Sequence, residues 1–211
     1  MATVNDHVDE LKRIVHDPDQ QYWSDSFMVN AVNRAIKQRD QSTGGNRTLL
    51  PFTLTAGDGT YSFSDVGNTR VFDVVGISVL FNGQRVVLNQ ISYTDLVASP
   101  RYQAWTTYRD VPRAFARYGA NSVVLAPLPS QAYETEWDCC IVSADLTGSD
   151  SDPLPYPYTE PVPWFAAYLC KSNMRAWQEA ETCKEEFYRL CSLIEGARVG
   201  LLPSAYTSRA R

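Results

Sequence analysis

The sequence is poor in histidine and in positive charge. It has 2 His, and its 19 Lys and Arg are outnumbered by 24 Asp and Glu, which gives a net charge of −5 and an isoelectric point near 5.0. A protein that binds nucleic acid through the phosphate groups needs a basic surface. The composition therefore disfavours direct DNA binding, although an acidic surface suits a passage through which DNA slides without sticking.

Long apolar runs are also missing. No run approaches the roughly 18 residues that a bilayer-spanning helix needs, and residues 1–10 lack the cationic flank and apolar stretch of a signal peptide. We therefore expect a protein without a membrane anchor, made in the cytoplasm.

Sequence motifs of known chemistry are absent. The chain has no CxxC, HExxH, GxSxG, Walker loop or GxGxxG, and each of those mechanisms needs its residue types at that spacing. His7 and His16 fall on opposite sides of a helix, so they predict neither a metal pair nor a catalytic base, and we expect both in solvent. The sequence predicts no enzyme, no cofactor and no metal.

Carboxylates leave one catalytic alternative open. A glycosidase needs only two of them, about 5 to 10 Å apart, and a sequence does not show that distance. Six lie in or near a strand-rich region: Asp65, Asp73, Asp95, Asp110, Glu134 and Glu136. Charged residues on the outer face of a strand usually serve only to keep that face in water, and we favour this interpretation.

The five cysteines are predicted to be reduced and buried. Cys139 and Cys140 are adjacent in a strand-like run, and the other three fall in one helical segment. Cys183 and Cys191 would lie about 12 Å apart along a helix, too far for a disulfide. Cys170 and Cys183 lie on an apolar stripe, where a thiol behaves as a small hydrophobic group and not as a nucleophile.

Two amphipathic helices are predicted at the N-terminus. The first has an apolar stripe at spacings of three and four and ends near Asp17 and Pro18. Ser24 is suited to cap the second helix, which ends at residues 43–46. The stripes are Val4, Val8, Leu11 and Val15, followed by Phe27, Met28, Ala31, Val32, Ala35 and Ile36.

From residue 50 to residue 142 the apolar pattern changes to alternation, which indicates short strands. Asn82-Gly83 between two apolar runs is the strongest short signal for a tight hairpin. In residues 133–142 apolar residues alternate with Glu134, Glu136, Asp138 and Cys140, so one face of that strand is expected to be buried and the other exposed to solvent. Residues 91–109 break the pattern.

The C-terminal third begins with a connector, residues 143–163, which contains five prolines. Apolar residues at spacings of three and four then predict one long amphipathic helix from near Pro163 to near Gly196. The tail, residues 200–211, has no periodicity and is predicted to be extended.

These elements predict an α+β protein. A small antiparallel β domain, residues 50–142, is inserted between two short N-terminal helices, residues 1–46, and one long C-terminal helix, residues 160–199. The three helices are expected to form one helical bundle.

Several short stretches in this order resemble the head-to-tail adaptor family of tailed bacteriophages, which includes the tail tubular proteins. Each stretch is a common helix, turn or strand signal, so the likeness lies in their order and spacing and covers most of the chain. The stretches are Trp23-Ser24-Asp25, Val32-Asn33-Arg34-Ala35, Gly59-Thr60-Tyr61-Ser62-Phe63, Val111-Pro112-Arg113-Ala114-Phe115, Val124-Leu125-Ala126-Pro127-Leu128-Pro129, and the long helix from Trp164 to Ala197.

The resemblance implies a structural protein of the virion neck, assembled in the host cytoplasm. Such proteins form a homo-oligomeric ring of about twelve subunits that contacts the portal protein on one side and a tail or nozzle protein on the other, while DNA passes through the lumen. Carried over by position, Tyr206, Arg209 and Arg211 would contact the portal or a neighbouring subunit. Trp177 and Phe187 would belong to the helical core or to the subunit contact.

Two other functions remain compatible with the sequence. A monomeric β-sandwich module would recognise a glycan or peptide through surface aromatics such as Tyr102, Trp105 and Tyr108. A carbohydrate hydrolase would need a carboxylate pair in a cleft. The polar and aromatic insert at residues 102–108 and the five cysteines are not features of the adaptor pattern.

Overall fold

A computed structural model of the chain describes residues 1–98 and 107–199. The chain divides into two compact units, which we call the helical unit and the β unit. The helical unit combines Met1–Asn46 with the chain from Ser143 onward, and the β unit is Arg47–Val142. The predicted tail and most of the aromatic insert lie outside the described residues.

The helical unit and the β unit contain five α-helices among the described residues. None of the described helices is both long enough and apolar enough to cross a membrane. The helices are α1 (Val4–Val15), α2 (Asp25–Thr43), α3 (Tyr93–Ala98), α4 (Val162–Asn173) and α5 (Trp177–Val199), of which α3 belongs to the β unit.

Local hydrogen bonds set the ends of the first two helices. Thr3 and Asp6 form a reciprocal capping box at the start of α1. Ser24 Oγ accepts a hydrogen bond from the Phe27 backbone N–H at 3.3 Å, which confirms the predicted cap of α2. Gly44 ends α2 at φ +55°, a conformation that glycine adopts without a steric penalty.

The single long helix predicted from the apolar spacing is wrong. Residues 174–176 separate α4 from α5, and Arg175 lies at φ +61°, where a right-handed helix cannot continue. Phe165 of α4 contacts Phe187 of α5 with ring centroids 4.9 Å apart, so the two helices pack against each other. No proline or glycine marks the break, and the apolar spacing therefore continued across it.

The helical core contains the apolar stripes that the sequence predicted for α1 and α2. Small residues of α4 pack against these stripes, which lets the helices approach closely. Its buried members are Val4, Val8, Leu11, Val15, Trp23, Met28, Ala31, Val32, Ala35, Ile36, Val162, Ala166, Ala167, Cys170 and Cys183.

In its described residues, 47–98 and 107–142, the β unit contains two four-stranded sheets, ordered β1-β10-β3-β4 and β2-β8-β7-β5, and the short pair β6-β9. The strands are β1 (Arg47–Leu54), β2 (Thr60–Ser62), β3 (Val71–Phe81), β4 (Gln84–Val87), β5 (Asn89–Ile91), β6 (Arg109–Asp110), β7 (Ala114–Tyr118), β8 (Ser122–Ala126), β9 (Leu128–Pro129) and β10 (Tyr133–Ile141).

Most strand pairs are antiparallel, as the sequence predicted. Among the strands that the structure describes, the exceptions are two short parallel pairings, β5 with β7 and β6 with β9. The predicted hairpin at Asn82-Gly83 is confirmed, because β3 and β4 pair directly around it. Asn82 and Gly83 lie at φ +51° and +74°, the positive values that a two-residue turn of this kind requires.

The two larger sheets share one apolar core. It includes Ile77, Val79 and Trp137 from the first sheet with Phe115 and Leu125 from the second. From Tyr133 to Cys139 every second residue of β10 is buried and Glu134 faces outward, which confirms the predicted alternation for this part of the strand. Cys140, predicted on the solvent face, is buried instead, because the pairing of β10 with β3 shifts register after Asp138. The β unit is therefore a small sandwich.

Candidate functional site

The helical unit holds a buried group of charged and polar residues, which we call the Arg39 cluster. It consists of Arg39 and Asp40 from α2, His7 from α1, and Ser143 and Asp152 from the segment before α4. Arg39 and Asp40 continue the spacing of Met28, Val32 and Ile36 and so fall on the buried face of α2. Charged side chains are rarely buried unless they are paired.

Arg39 pairs with two carboxylates. Its Nη2 donates to Asp40 Oδ1 at 2.8 Å, and its Nη1 donates to Asp152 Oδ2 at 2.6 Å. The side chains of all three residues are fully buried. Because a guanidinium presents several donors in a fixed plane, it can satisfy two acceptors at once.

Asp152 has a second partner in His7, whose Nε2 lies 3.2 Å from Asp152 Oδ2. Burial by itself would raise the pKa of Asp152, but the hydrogen bonds from His7 and Arg39 outweigh burial and hold the pKa below its ordinary value. Asp152 is therefore a carboxylate in the folded protein.

Asp40 binds the residues at which the chain leaves and re-enters the helical unit, Asn46 and Ser143. Its Oδ2 accepts hydrogen bonds from the Ser143 backbone N–H at 2.9 Å and from Ser143 Oγ at 2.6 Å. Asn46 Nδ2 donates to Ser143 Oγ at 3.0 Å. Asn46 precedes the β unit and Ser143 follows it, so the cluster holds both ends of the inserted segment on α2.

Neighbouring polar contacts hold the rest of the predicted connector. The Asn33 side chain donates to the Leu146 carbonyl at 2.9 Å and accepts from the Leu146 N–H at 2.8 Å. The Asp152 N–H donates to the Ala2 carbonyl at 2.8 Å. These bonds order a segment that has no helix of its own before residue 162.

The expectation of a solvated His7 is wrong. His7 is 3% exposed and belongs to the Arg39 cluster, whereas His16 is exposed at the end of α1. A signal was present in the sequence, since His7 lies three residues after Val4 and four before Leu11 on the apolar stripe. Arg39, Asp40 and Asp152 were missed altogether.

Acid is expected to weaken the cluster through Asp152. A carboxyl whose folded pKa is depressed contributes stability above its ordinary pKa of 3.8, and this contribution is lost as the pH falls through the lower folded value. Asp152→Asn should therefore be less stable than the wild type at neutral pH and lose less on acidification. Urea unfolding between neutral pH and pH values near 3 measures this, with exposed Asp145→Asn as the control. Parallel pH profiles for wild type and Asp152→Asn would contradict the assignment.

The cysteines are all buried, and no disulfide joins any of the five, each of which lies among the described residues. Burial raises the pKa of the Cys139, Cys170 and Cys191 thiols to about 12. Such thiols are poor nucleophiles at neutral pH. Within residues 1–98 and 107–199, no group of His, Cys, Asp and Glu is arranged to hold a metal ion.

The predicted partner-contact residues fall into three places. Trp177, at the start of α5, is 66% exposed. Phe187 is fully buried and packs against Phe165, so it lies in the interior of the helical unit and presents no surface to a partner. The tail residues Tyr206, Arg209 and Arg211 lie outside the described residues.

The surface around Trp177 exposes apolar side chains. Met174, at the break between α4 and α5, is also exposed. A shallow pocket of about 270 Å³ lies beside the Trp177 ring and is lined also by Ala176 and Thr182. A large exposed aromatic ring beside a pocket is typical of protein interfaces.

The β unit has an open groove on the outer face of its first sheet, which we call the β10 groove. It has a volume of about 440 Å³ and is lined by Pro51, Thr53, Leu80, Arg85, Glu134 and Glu136. Arg85 Nη2 donates to Glu136 Oε1 at 2.6 Å. Glu134 and Glu136 are the two glutamates predicted on the solvent-exposed face of β10. Glu136 forms an ion pair with Arg85.

The predicted aromatic surface of residues 102–108 is only partly described. Tyr108 is exposed, while Tyr102 and Trp105 lie outside the described residues.

The comparisons with known proteins identify the family. A family model described as SU10 adaptor protein matches residues 2–198. The chain belongs to this family. The match to the SU10 adaptor family extends over both units, confirms the resemblance to phage adaptors, and indicates a structural role in the phage. No curated protein matches the chain.

Proposed function

We propose that this SU10 adaptor protein is a subunit of a ring beneath the portal, which joins the DNA-filled head of a phage to its tail. About twelve copies would close the ring, and DNA would pass through the lumen during packaging and genome ejection. The observation that carries the proposal is the family match over residues 2–198, which includes both units. The protein would then be a component of the virion neck.

The surface of the helical unit supports repeated contacts between copies. A head-to-tail contact uses two different patches on each subunit and closes into a ring when the rotation allows. Trp177 and Met174 are exposed apolar side chains that such a contact could bury. Aromatic and methionine side chains are enriched in the buried centres of such interfaces.

The charge of the chain supports a lumen that does not retain DNA. The net charge is −5, so the ring as a whole would repel phosphates instead of binding them. The sequence-independent attraction that comes from counterion release would then be missing. DNA could move along such a passage without being held.

The C-terminal tail supports a contact outside the subunit. Tyr206, Arg209 and Arg211 combine an aromatic ring and two guanidinium groups in a segment without acidic residues. Arginine and tyrosine are prominent among the residues that dominate interface energy. We propose that these residues bind the portal protein or a neighbouring subunit.

Electron microscopy of the purified protein, alone and mixed with portal complexes of its own phage, tests the ring. We expect rings at least in the mixture. A protein that stays monomeric and does not bind those portals would contradict the proposal and favour the monomeric binding module.

Trp177→Ala is expected to weaken assembly without unfolding the protein. Loss of a central interface tryptophan should reduce self-association or portal binding at least roughly tenfold, because the exposed ring would no longer be buried against the partner. Analytical ultracentrifugation and portal pull-down measure the two associations. Tyr108→Ala, which removes another exposed ring from the β unit, is the control. Equal assembly of both variants would remove Trp177 from the contact.

A further inference from the structure

The β10 groove has walls of mixed polarity, and Glu134 and Glu136 lie along its floor with Arg85 beside them. Register places Pro51 of β1 opposite Glu136 and Thr53 opposite Glu134. On the other side, Leu80 of β3 forms the second wall and is 47% exposed. The groove thus runs along β10 and is open to an extended chain.

The two carboxylates of the groove differ in their partners. Glu136 is held by Arg85. Glu134 is exposed, and within residues 1–98 and 107–199 it forms no ion pair. They alternate along one strand, so both point to the same face about 7 Å apart.

The C-terminal segment, residues 200–211, complements this groove in charge and spacing. It contains Arg209 and Arg211 and no acidic residue, in a chain of net charge −5. In an extended conformation, residues two apart lie on one face at the same repeat of about 7 Å. The spacing of the two arginines therefore matches that of the two glutamates, and an arginine that meets Glu136 would share this carboxylate with Arg85.

We propose that the C-terminal segment of a second copy lies in the β10 groove, with Arg209 and Arg211 against Glu134 and Glu136. An extended segment of this length reaches roughly 40 Å, enough to cross to an adjacent subunit. Each subunit then offers a tail to one neighbour and a groove to the other, a head-to-tail contact that repeats around a ring. The inference rests on the proposed ring function and assigns one of its contacts.

Binding of a synthetic peptide tests the contact directly. The probe is a fluorescein-labelled peptide of residues 200–211, and the receptor is the full-length Arg209→Glu/Arg211→Glu protein, whose own tails do not compete. We expect saturable fluorescence anisotropy that weakens as salt is added, because exposed charges are screened. Glu134→Lys in the receptor should weaken binding roughly fivefold to tenfold, and Glu134→Gln should weaken it less.

Glu185→Lys is the matched control, since it reverses an exposed glutamate on α5, outside the groove. It should bind the peptide like the parent receptor. A peptide that does not bind, or that binds equally to the Glu134→Lys and Glu185→Lys receptors, would overturn the proposal.

Mixing two full-length variants tests that the tail enters another copy. The Glu134→Lys protein keeps its tail, and the Arg209→Glu/Arg211→Glu protein keeps its groove. We expect each alone to self-associate less than wild type, and the mixture to form hetero-oligomers in sedimentation velocity. A mixture with no gain over its components would show that the tail does not bind the groove of another copy.

The outcomes separate this contact from the ring function. Rings on portals without peptide binding would leave the proposed function standing and reject the groove contact. Peptide binding and recovery on mixing, in a protein that never binds portals, would support the groove contact and reject the proposed function.

Discussion

Arg39→Met is expected to lower the free energy of unfolding by about 3 to 5 kcal/mol. The substitution keeps most of the side-chain volume but leaves Asp40 and Asp152 buried without their shared guanidinium. An uncompensated buried charge costs far more than a lost surface contact. Urea unfolding followed by circular dichroism at pH 7 measures the change.

Arg34→Met is the matched control for Arg39→Met, because Arg34 is exposed on the same helix. Its effect should stay within about 0.5 kcal/mol. The double variant Arg39→Met/Asp152→Asn should recover part of the loss, since it removes one of the two orphaned charges. A similar stability of the Arg39 and Arg34 variants would show that the Arg39 cluster does not contribute the proposed free energy to the stability of the fold.

Trp137→Ala is expected to lower the free energy of unfolding of the β unit by about 3 to 5 kcal/mol. Trp137 is fully buried and touches Phe52 and Tyr61 edge-on, with ring centroids 5.7 and 6.3 Å away. Its Nε1 donates to Thr135 Oγ1 at 2.9 Å. Truncation leaves a cavity between the two sheets that their paired strands cannot close.

Trp177→Ala is the tryptophan control, because Trp177 is exposed and its truncation should change stability by no more than about 0.5 kcal/mol. Native-state hydrogen exchange separates the two units. With Trp137→Ala we expect faster exchange in β1, β3 and β10 and little change in α1 and α2. Faster exchange in all elements alike would show that the units unfold together.

Features determined by neighbours in sequence were predictable. Ser24 caps α2 because its hydroxyl reaches an N–H three residues on, and the hairpin forms because Asn82 and Gly83 tolerate positive φ. The solvent face of β10 followed from the alternation between Tyr133 and Cys139, whereas the burial of Cys140 depends on a register shift against β3 that no local pattern shows. Each of these depends on a few adjacent residues, which a sequence displays directly.

The sequence-based predictions were wrong where a residue's structure depends on a contact with a residue far along the chain. The apolar spacing is continuous through Met174 and Trp177, yet the chain breaks there because α4 and α5 pack on each other. His7 is expected in water until Asp152, far along the chain, is placed beside it. The parallel pairings β5-β7 and β6-β9 likewise depend on connections that no local pattern shows.

By itself, the sequence determined the α+β class, the helix caps, the central hairpin and the order of elements that resembles the phage adaptors. The tertiary structure alone decided that Arg39, Asp40 and Asp152 meet in the core and that Pro51, Leu80 and Glu134 line one groove. The physical reason is that a local pattern reports which face of an element is apolar. The partner of a buried charge depends on which distant segments are brought within about 3 Å, and only the folded chain specifies that.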